Sequence, residues 1–481
     1  MPHLFSIQTK RFLRTQYTPK LFITKYNIRR ELVDAVFHFT AFFRYFRRPL
    51  KFHVVTSLVM NKFLYGIDFG TTNSALAIYN EDTKEIQDTI IIPSLIYFYH
   101  QQNSGGALKY VVGEEAISAY LNDGMKGRFI KSVKQILSRS SFTETRIQSK
   151  RFNASDLVAI ILKELKNRAD KLIEQDCRKA VIGRPVFFDD DDVQKDTLAQ
   201  TRLSKAAEIA GFENVRFQFE PIGAAFAYEK TLLKKENVLV ADLGGGTTDF
   251  TYLVLDPQKA NSKDRKKDMM ATGGIYIGGD SLDSAFMWEK GTPYFGKNTQ
   301  YEATPGKRLT VPKSLFANIC SWEQMNFFNG VRIKKDIEDY YYYSGNDRLF
   351  KNLITLIDNN LGYSVFRSIE KTKITLSGTN TAKFGYRQMG IDIDEEVPLM
   401  TYESIIAKDV DRIANYLDEF MLQNHIDPKN IDSLFLTGGT SLVSSIQKLF
   451  KSRFPHVNLN SGDNFKSVAR GLAYSGYLFE D

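Results

Sequence analysis

Cysteine is nearly absent: Cys177 and Cys320 are the only two in 481 residues, and no C-x-x-C occurs. That excludes a disulfide framework and a thiolate metal site, and it fits a reducing compartment, so a cytoplasmic location is expected. The six histidines (His3, His38, His53, His100, His425, His456) are scattered. None stands at metal-ligand spacing, so they read as structural or solvated. There is no G-x-x-x-x-G-K-[ST], which excludes a P-loop. No apolar run reaches the ~18 residues that a membrane span requires. A secretory h-region followed by a small-residue cleavage site is also missing.

What is there is unevenly charged. The formal charge is +8, yet residues 1–59 hold 11 Lys+Arg against two acids, Glu31 and Asp34, so the remainder is close to neutral. The basic pI therefore belongs to the N-terminal arm and gives no reason to expect nucleic acid binding by the core. The arm carries apolar residues at partly helical spacing (Leu32, Val33, Val36, Phe37), broken by Arg44, Arg47 and Arg48. It reads as an upstream extension of the reading frame, with Met60 as the natural start. The alternatives are a targeting peptide or a basic amphipathic helix in contact with a membrane surface. The length suits about two to four domains.

The rest of the chain is organised around Val238–Leu255, VLVADLGGGTTDFTYLVL. An apolar run ends in Asp242. Gly244, Gly245 and Gly246 follow, then Thr247, Thr248, Asp249 and a second β-rich run. This predicts strand, tight turn, strand. Glycines let the turn's backbone approach an anion, threonines add donors, and a carboxylate at a strand end suits a hydrated Mg²⁺. Tyr65–Asn80, YGIDFGTTNSALAIYN, repeats the order: Asp68, Gly70, Thr71, Thr72, exit strand. Taken alone, Val238–Leu255 has a blander reading, an ordinary Gly-rich hairpin. The recurrence points to two turns that grip a polyphosphate and its metal from both sides. A dinucleotide fingerprint fits poorly, because a strand rather than a helix follows the glycines.

Between and beyond the turns, Ile90–Tyr99 predicts strands broken by Pro93, and a helix-like stretch begins at Gly113. Arg128–Arg139 carries Lys131 and Lys134, side chains that ordinarily face water. Asp156–Gln175 and Leu203–Ala210 read as helices around a buried strand, Ala180–Phe188. Asp189 to Asp192 read as a solvated helix start. Glu220-Pro221 opens a small-residue helix (Gly223, Ala224, Ala225, Ala227). Ala271–Asp283 is a further Gly-rich segment with Gly278-Gly279-Asp280. Residues 284–360 are aromatic and opaque. Phe366–Leu376 reads as a helix with Glu370, Lys373 and Ser377 on one face. Tyr402–Leu422 is a periodic helix. Ser433–Ser441 is a strand followed by Gly438-Gly439, with a helix expected from Leu442 to Phe454. Ser467–Leu478 reads as a closing helix.

Taken together, Asp68-Phe69-Gly70-Thr71-Thr72, Asp242-Leu243-Gly244-Gly245-Gly246-Thr247, Gly278-Gly279-Asp280 and Thr437-Gly438-Gly439-Thr440 resemble the phosphate-1, phosphate-2 and adenosine motifs of the actin–Hsp70–hexokinase ATPase superfamily. Glu220-Pro221 with its alanine-rich helix, and Glu370 through Ser377, resemble the Hsp70 branch. Ile182-Gly183-Arg184-Pro185 and Gly462-Asp463-Asn464-Phe465 are similar to its short YegD-type members. The resemblance covers about residues 60–481. It implies an α/β, actin-like ATPase fold of two RNase H-like lobes with a nucleotide cleft between them. Lobe I would span 60–235, with an insertion at about 100–150. Lobe II would span 236–481, with an insertion at about 284–400.

By position, the resemblance implies ATP or ADP with Mg²⁺. Lys134 would reach the terminal phosphate and position the attacking water. Glu220 and Asp242 would stand around the metal's water shell, with Asp68 nearby, and Asp249 would lie behind the nucleophile. Asp68 and Asp242 would hold the metal through water. Gly70, Thr71, Thr72, Asn73 and Gly244 to Thr247 would hold phosphates. Gly279, Asp280, Glu370, Lys373, Ser377, Gly438, Gly439 and Thr440 would complete the nucleotide site. Two departures stand out. Ile374 and Leu442 occupy the positions of the two arginines that sandwich adenine in typical Hsp70s, so base affinity or base choice would relax. The chain also stops at Asp481, which leaves no room for a peptide-binding sandwich and lid. The expected function is an ATPase switch, weak or partner-stimulated, for an unidentified protein partner or client. The alternatives are an actin-like filament or scaffold protein and a small-molecule kinase of the same superfamily.

Overall fold

The computed structural model describes residues 62–100, 108–124, 126–188, 192–321, 328, 330–457, 459–460 and 466–479. The basic arm, Asp189 to Asp191 and Gly462 to Phe465 lie outside the described residues.

The first half starts with an antiparallel meander, β1 (Phe63–Phe69), β2 (Asn73–Asn80) and β3 (Glu85–Pro93). An insertion follows. It holds β4 (Ile96–Phe98), β5 (Tyr110–Val112), helix α1 (Glu114–Asn122), β6 (Arg128–Ile130) and the hairpin β7 (Thr145–Ile147) and β8 (Lys150–Phe152). Helix α2 (Ala154–Ile173) then leads through β9 (Lys179–Arg184), α3 (Val193–Ala210) and β10 (Asn214–Phe219) to α4 (Glu220–Glu229). Local chemistry sets the helix ends. Asn153 and Asp156 form a reciprocal capping box at the start of α2. Asp192 caps α3, as its place in the acidic run predicts, and Gly211 closes that helix at φ +101°.

The second half repeats the plan. It runs β11 (Glu236–Leu243), β12 (Thr248–Leu255), β13 (Met269–Ile275) and helix α5 (Gly279–Phe286). Another insertion comes next: β14 (Gln300–Thr304), β15 (Lys307–Thr310), α6 (Val331–Tyr343), α7 (Arg348–Asp358), α8 (Gly362–Leu376), β16 (Thr381–Gln388) and β17 (Ile391–Pro398). Helix α9 (Leu399–Gln423), β18 (Ser433–Thr437), α10 (Ser444–Arg453), β19 (Leu459–Asn460) and α11 (Ser467–Tyr474) complete it.

The two main sheets have the same order and directions. One runs β10-β9-β1-β2-β3 and the other β19-β18-β11-β12-β13. In each, the first three strands are antiparallel neighbours and the later two lie parallel to the first. The fold is thus mixed α/β with several sheets. β1 and β11 are buried on both faces, which is why they read as continuous apolar runs rather than alternating ones.

Helices α4 and α11 join the halves. Their small residues permit backbone contact: a Cβ on Gly471 would fall 1.8 Å from the Gly223 carbonyl oxygen. One apolar cluster includes Leu64 and Val181 from the first sheet, Ile222 and Leu472 from these helices, and Val238 and Val240 from the second sheet. By chain order α11 falls in the second half, yet it packs on β1, where a Cβ on Gly66 would meet Ala469 and Ala473 backbone at 2.2 Å.

Three sequence expectations shift. Arg128–Arg139 is not one element. β6 pairs with β4, Ile96 opposite Ile130, and a 3-10 turn, Val133–Ile136, follows. The helix expected from Leu442 begins at Ser444, because a 3-10 turn occupies Gly439–Leu442 and Val443 is extended. The closing helix ends at Tyr474 and continues as a 3-10 turn. Among the described residues no helix is long and apolar enough to cross a membrane.

Candidate functional site

The β1–β2 and β11–β12 turns meet. A Cβ on Gly245 would lie 2.2 Å from Thr72 Oγ1, so only glycine fits where the turns touch. Each turn is braced from behind. Ser94 Oγ donates to the Gly70 carbonyl at 2.8 Å, and the Ser94 amide to the Thr72 carbonyl at 2.8 Å. In the second turn the Gly244 amide reaches the Thr247 carbonyl at 2.9 Å. The first amides of α5, Gly279 and Asp280, donate to the Gly244 and Gly245 carbonyls at 3.1 and 2.7 Å.

A cleft of about 600 Å³ opens beside this contact. Gly70, Thr71, Thr72 and Asn73 line it from one turn, and Gly244, Gly245 and Thr247 from the other. Asp68, Lys134, Glu220, Asp242, Asp249, Gly438 and Gly439 complete the predicted residues in its wall. Asp68 and Asp242 therefore share one crevice. Gly246 lines neither this cleft nor the nucleoside-side cavity described below; a Cβ there would meet Gln135 Nε2 at 2.9 Å.

Lys134 sits among four acids, Asp68, Glu220, Asp242 and Asp249. Lys134 Nζ lies 2.8 Å from Glu220 Oε1, and its side chain is 17% exposed. Thr437 Oγ1 donates to Asp242 Oδ1, and Thr247 Oγ1 to Asp249 Oδ2, each at 2.9 Å. Asp242 pairs in register with Asp249 on one side and with Thr437 on the other. Burial, with Glu220 adding, pushes Asp68 up to about 8 against the pull of Lys134. Burial and the Asp242 charge push Asp249 up to about 7. Glu220 is raised by burial although Lys134 opposes it. Burial pulls Lys134 down, but Glu220 and Asp68 outweigh it and hold the ammonium charged. This surplus of negative charge suits a divalent cation. Among the described residues no group of three or more His, Cys, Asp or Glu forms a direct metal cage, so Asp68 and Asp242 fit an ion held through its water shell. Thr72 Oγ1 is buried with no hydrogen-bond partner, a donor facing the contact of the two turns.

A second cavity of about 450 Å³ continues from the first, sharing Thr72, Asn73, Gly244, Gly245 and Gly439. Gly279, Asp280, Glu370, Lys373, Ser377 and Thr440 line it, together with Ile374 and Leu442. Lys373 is held by Asp283 at 2.9 Å, and Glu370 by Arg367 at 3.0 Å. Thr440 Oγ1 donates to the Gly244 carbonyl at 2.8 Å, tying the β18 loop to the second turn. Gly438 sits at φ +77°, where a Cβ would strike the Leu243 carbonyl at 2.3 Å.

The expectation that Lys131 and Lys134 face water is overturned. Lys131 is 12% exposed and pairs with Asp280 at 3.1 Å. Sequence reasoning also missed Thr437, Asp283, Ser94 and the Lys131–Asp280 pair. Thr437 carried a signal, since it ends a strand just before Gly438-Gly439. Ser94 carried none.

The sequence profile described as Hsp70 protein matches residues 64–288. Over that span the chain is similar to Hsp70 proteins. The "Chaperone protein DnaK" of Thermotoga petrophila is 35% identical over 429 residues, 86% of this chain and 59% of that protein. The DnaK of Thermotoga neapolitana is 36% identical over the same span, and that of Ureaplasma urealyticum 25% over 431 residues. The chain thus spans about three-fifths of the DnaK relatives it matches.

Proposed function

We propose that this chain binds MgATP in the joined cavities and hydrolyses it as an Hsp70-like switch acting on a protein partner. The observation that carries the reading is the contact of Gly245 with Thr72 above a crevice holding Lys134, Glu220, Asp68, Asp242 and Asp249. In this reading the duplicated sheets are two RNase H-like lobes, divided near residue 235, that rotate with nucleotide state. A chain with only two cysteines, both buried, suits a reducing compartment such as the cytoplasm.

Each residue then has a task. Thr71, Thr72, Asn73 and the backbone of Gly244, Gly245 and Thr247 hold the phosphates. Asp68 and Asp242 would hold the cation's water shell, and a bound cation would supply charge neutralisation at the phosphates. Lys134, kept charged by Glu220, faces the terminal phosphate and orients the attacking water. Asp249, raised to about 7, stands ready near neutrality to take that water's proton. Positioning and charge stabilisation supply most of the rate, as is general for phosphoryl transfer. Ile374 and Leu442 give the base apolar contact only.

The test is phosphate release from ATP without any added acceptor, by the parent, Asp242→Asn and Lys134→Ala chains. The reading expects slow release by the parent and none measurable by either variant. Turnover at the parent rate in both would refute the assignment. Release that requires an added hydroxyl acceptor would mean a kinase instead.

A further inference from the structure

We infer that Thr437 is a positioning residue for the metal: its hydroxyl holds the Asp242 carboxylate so that one oxygen faces the cation's water shell. The inference rests on the nucleotide reading above. Asp242 stands one residue before the end of β11, and Thr437 ends β18, the parallel strand beside it, where the two are register partners. Side chains alternate between faces along a strand, so 437 is the position on β18 that flanks the carboxylate. Leu436, one step back, pairs with Ala241 and faces the other way.

Between its polar ends β18 is Leu434, Phe435 and Leu436, and every position in it is buried. Valine has nearly the shape of threonine and would bury there with no polar group. A hydroxyl in that setting costs free energy unless it is bonded. Thr437 is 4% exposed, and its Oγ1 donates to Asp242 Oδ1 at 2.9 Å. The same oxygen faces the backbone of the next residue, since a Cβ on Gly438 would lie 3.0 Å from it. Oδ1 is thus enclosed by β18 and its loop, and Oδ2 is the oxygen left to the cleft whose wall Asp242 forms. With one oxygen pinned, the carboxylate cannot turn freely about its Cβ–Cγ bond, and the other stays aimed at the cleft.

Asp249 has a hydroxyl partner too, but Thr247 stands only two residues away in the same turn. Thr437 reaches Asp242 across 195 residues of chain. Three residues on, Thr440 donates to the Gly244 carbonyl. The end of β18 and its loop therefore grip the second turn twice, once at the backbone assigned to the phosphates and once at the carboxylate assigned to the metal.

The test is the metal's share of ADP binding by the full chain. Isothermal titration gives the ADP affinity with Mg²⁺ present and with EDTA in its place, and the ratio of the two is that share. Partners that orient metal-holding groups are worth about ten- to a hundredfold in metal affinity, and Thr437→Val, which keeps the shape and loses the hydroxyl, should cut the ratio about tenfold. Affinity in EDTA should stay within about twofold of the parent. Thr437→Ser should restore the ratio. Thr437→Ala also lacks the hydroxyl, should match Thr437→Val, and serves in its place if the valine variant does not fold. In an Asp242→Asn background Thr437→Val should lower the ratio no further, because the hydroxyl acts through the carboxylate. An unchanged ratio in Thr437→Val overturns the positioning role while leaving nucleotide binding intact. Equal losses with and without Mg²⁺ mean a purely structural hydroxyl and overturn it as well, as does a parent that binds ADP equally in both buffers. No ADP binding by the parent in either buffer overturns the nucleotide reading itself, and this inference with it.

Discussion

Lys134 and Glu220 form an ion pair 2.8 Å long inside a crevice that holds three more carboxylates. Removing the ammonium leaves Glu220 buried without its paired counter-charge. Lys134→Ala is expected to lower ATP turnover about 10²- to 10³-fold, the usual loss on deleting one preorganised charge at a transition state. Lys134→Arg should not restore it, since the planar fork cannot replace a compact ammonium. Single-turnover phosphate release reads this directly, and turnover of the arginine variant near the parent rate would contradict it.

The raised acids make the nucleotide-free chain sensitive to pH. Asp68 at about 8 and Asp249 at about 7 retain protons in the folded state that the unfolded chain has already lost above its ordinary carboxylate range. Their contribution to stability is full below that range and is lost as pH rises through 7 and 8. The melting temperature should therefore fall between pH 5.5 and 8.5, and Asp249→Asn should flatten the lower part of that slope. Mg²⁺ needs these carboxylates ionised, so stabilisation by MgADP should grow over the same interval. A melting temperature that rises with pH in the parent but not in Asp249→Asn would reverse the assigned sign.

At the nucleoside end, Ile374 is 64% exposed and Leu442 41%, and both line the cavity. An arginine at position 442 would add a guanidinium face to the base. Leu442→Arg is expected to tighten ATP binding roughly three- to tenfold, the scale of a partly exposed cation–π contact. Isothermal titration of parent and variant decides it. Equal affinities would place the base elsewhere.

The helix crossing offers a test of stability apart from chemistry. A Cβ at 471 would fall 1.8 Å from the Gly223 carbonyl oxygen, so the backbones must separate. Gly471→Ala is expected to cost about 1–3 kcal/mol, the usual range for overpacking a tight core. Urea unfolding should show a lower midpoint with an unchanged slope. An unchanged midpoint would mean that α4 and α11 cross less closely than described.

The two turns were legible because their contact permits few residue types. A Cβ on Gly245 would crowd Thr72 Oγ1 at 2.2 Å, and Asp68 and Asp242 each stand one residue before the end of a largely apolar strand. The first hairpin of each half was also legible, since its two strands are neighbours in the chain. What stayed hidden depends on partners distant in the chain. Arg128–Ile130 becomes a strand only because Ile96–Phe98 lies beside it. Lys131 and Lys134 leave water only because Asp280 and Glu220 await them, 149 and 86 residues away. Residues 284–360 were opaque because their aromatic residues pack into a core built largely by later strands and helices.

Helix α11 closes a sheet whose first strand was laid down at the opposite end of the sequence; Arg470 reaches Thr89 across 381 residues. A nascent chain emerging from the ribosome cannot bury the inner face of that sheet until residues 467–474 have been made. The bare surface would be open to aggregation until then, and a chain truncated before residue 467 should depend on holding factors to stay in solution.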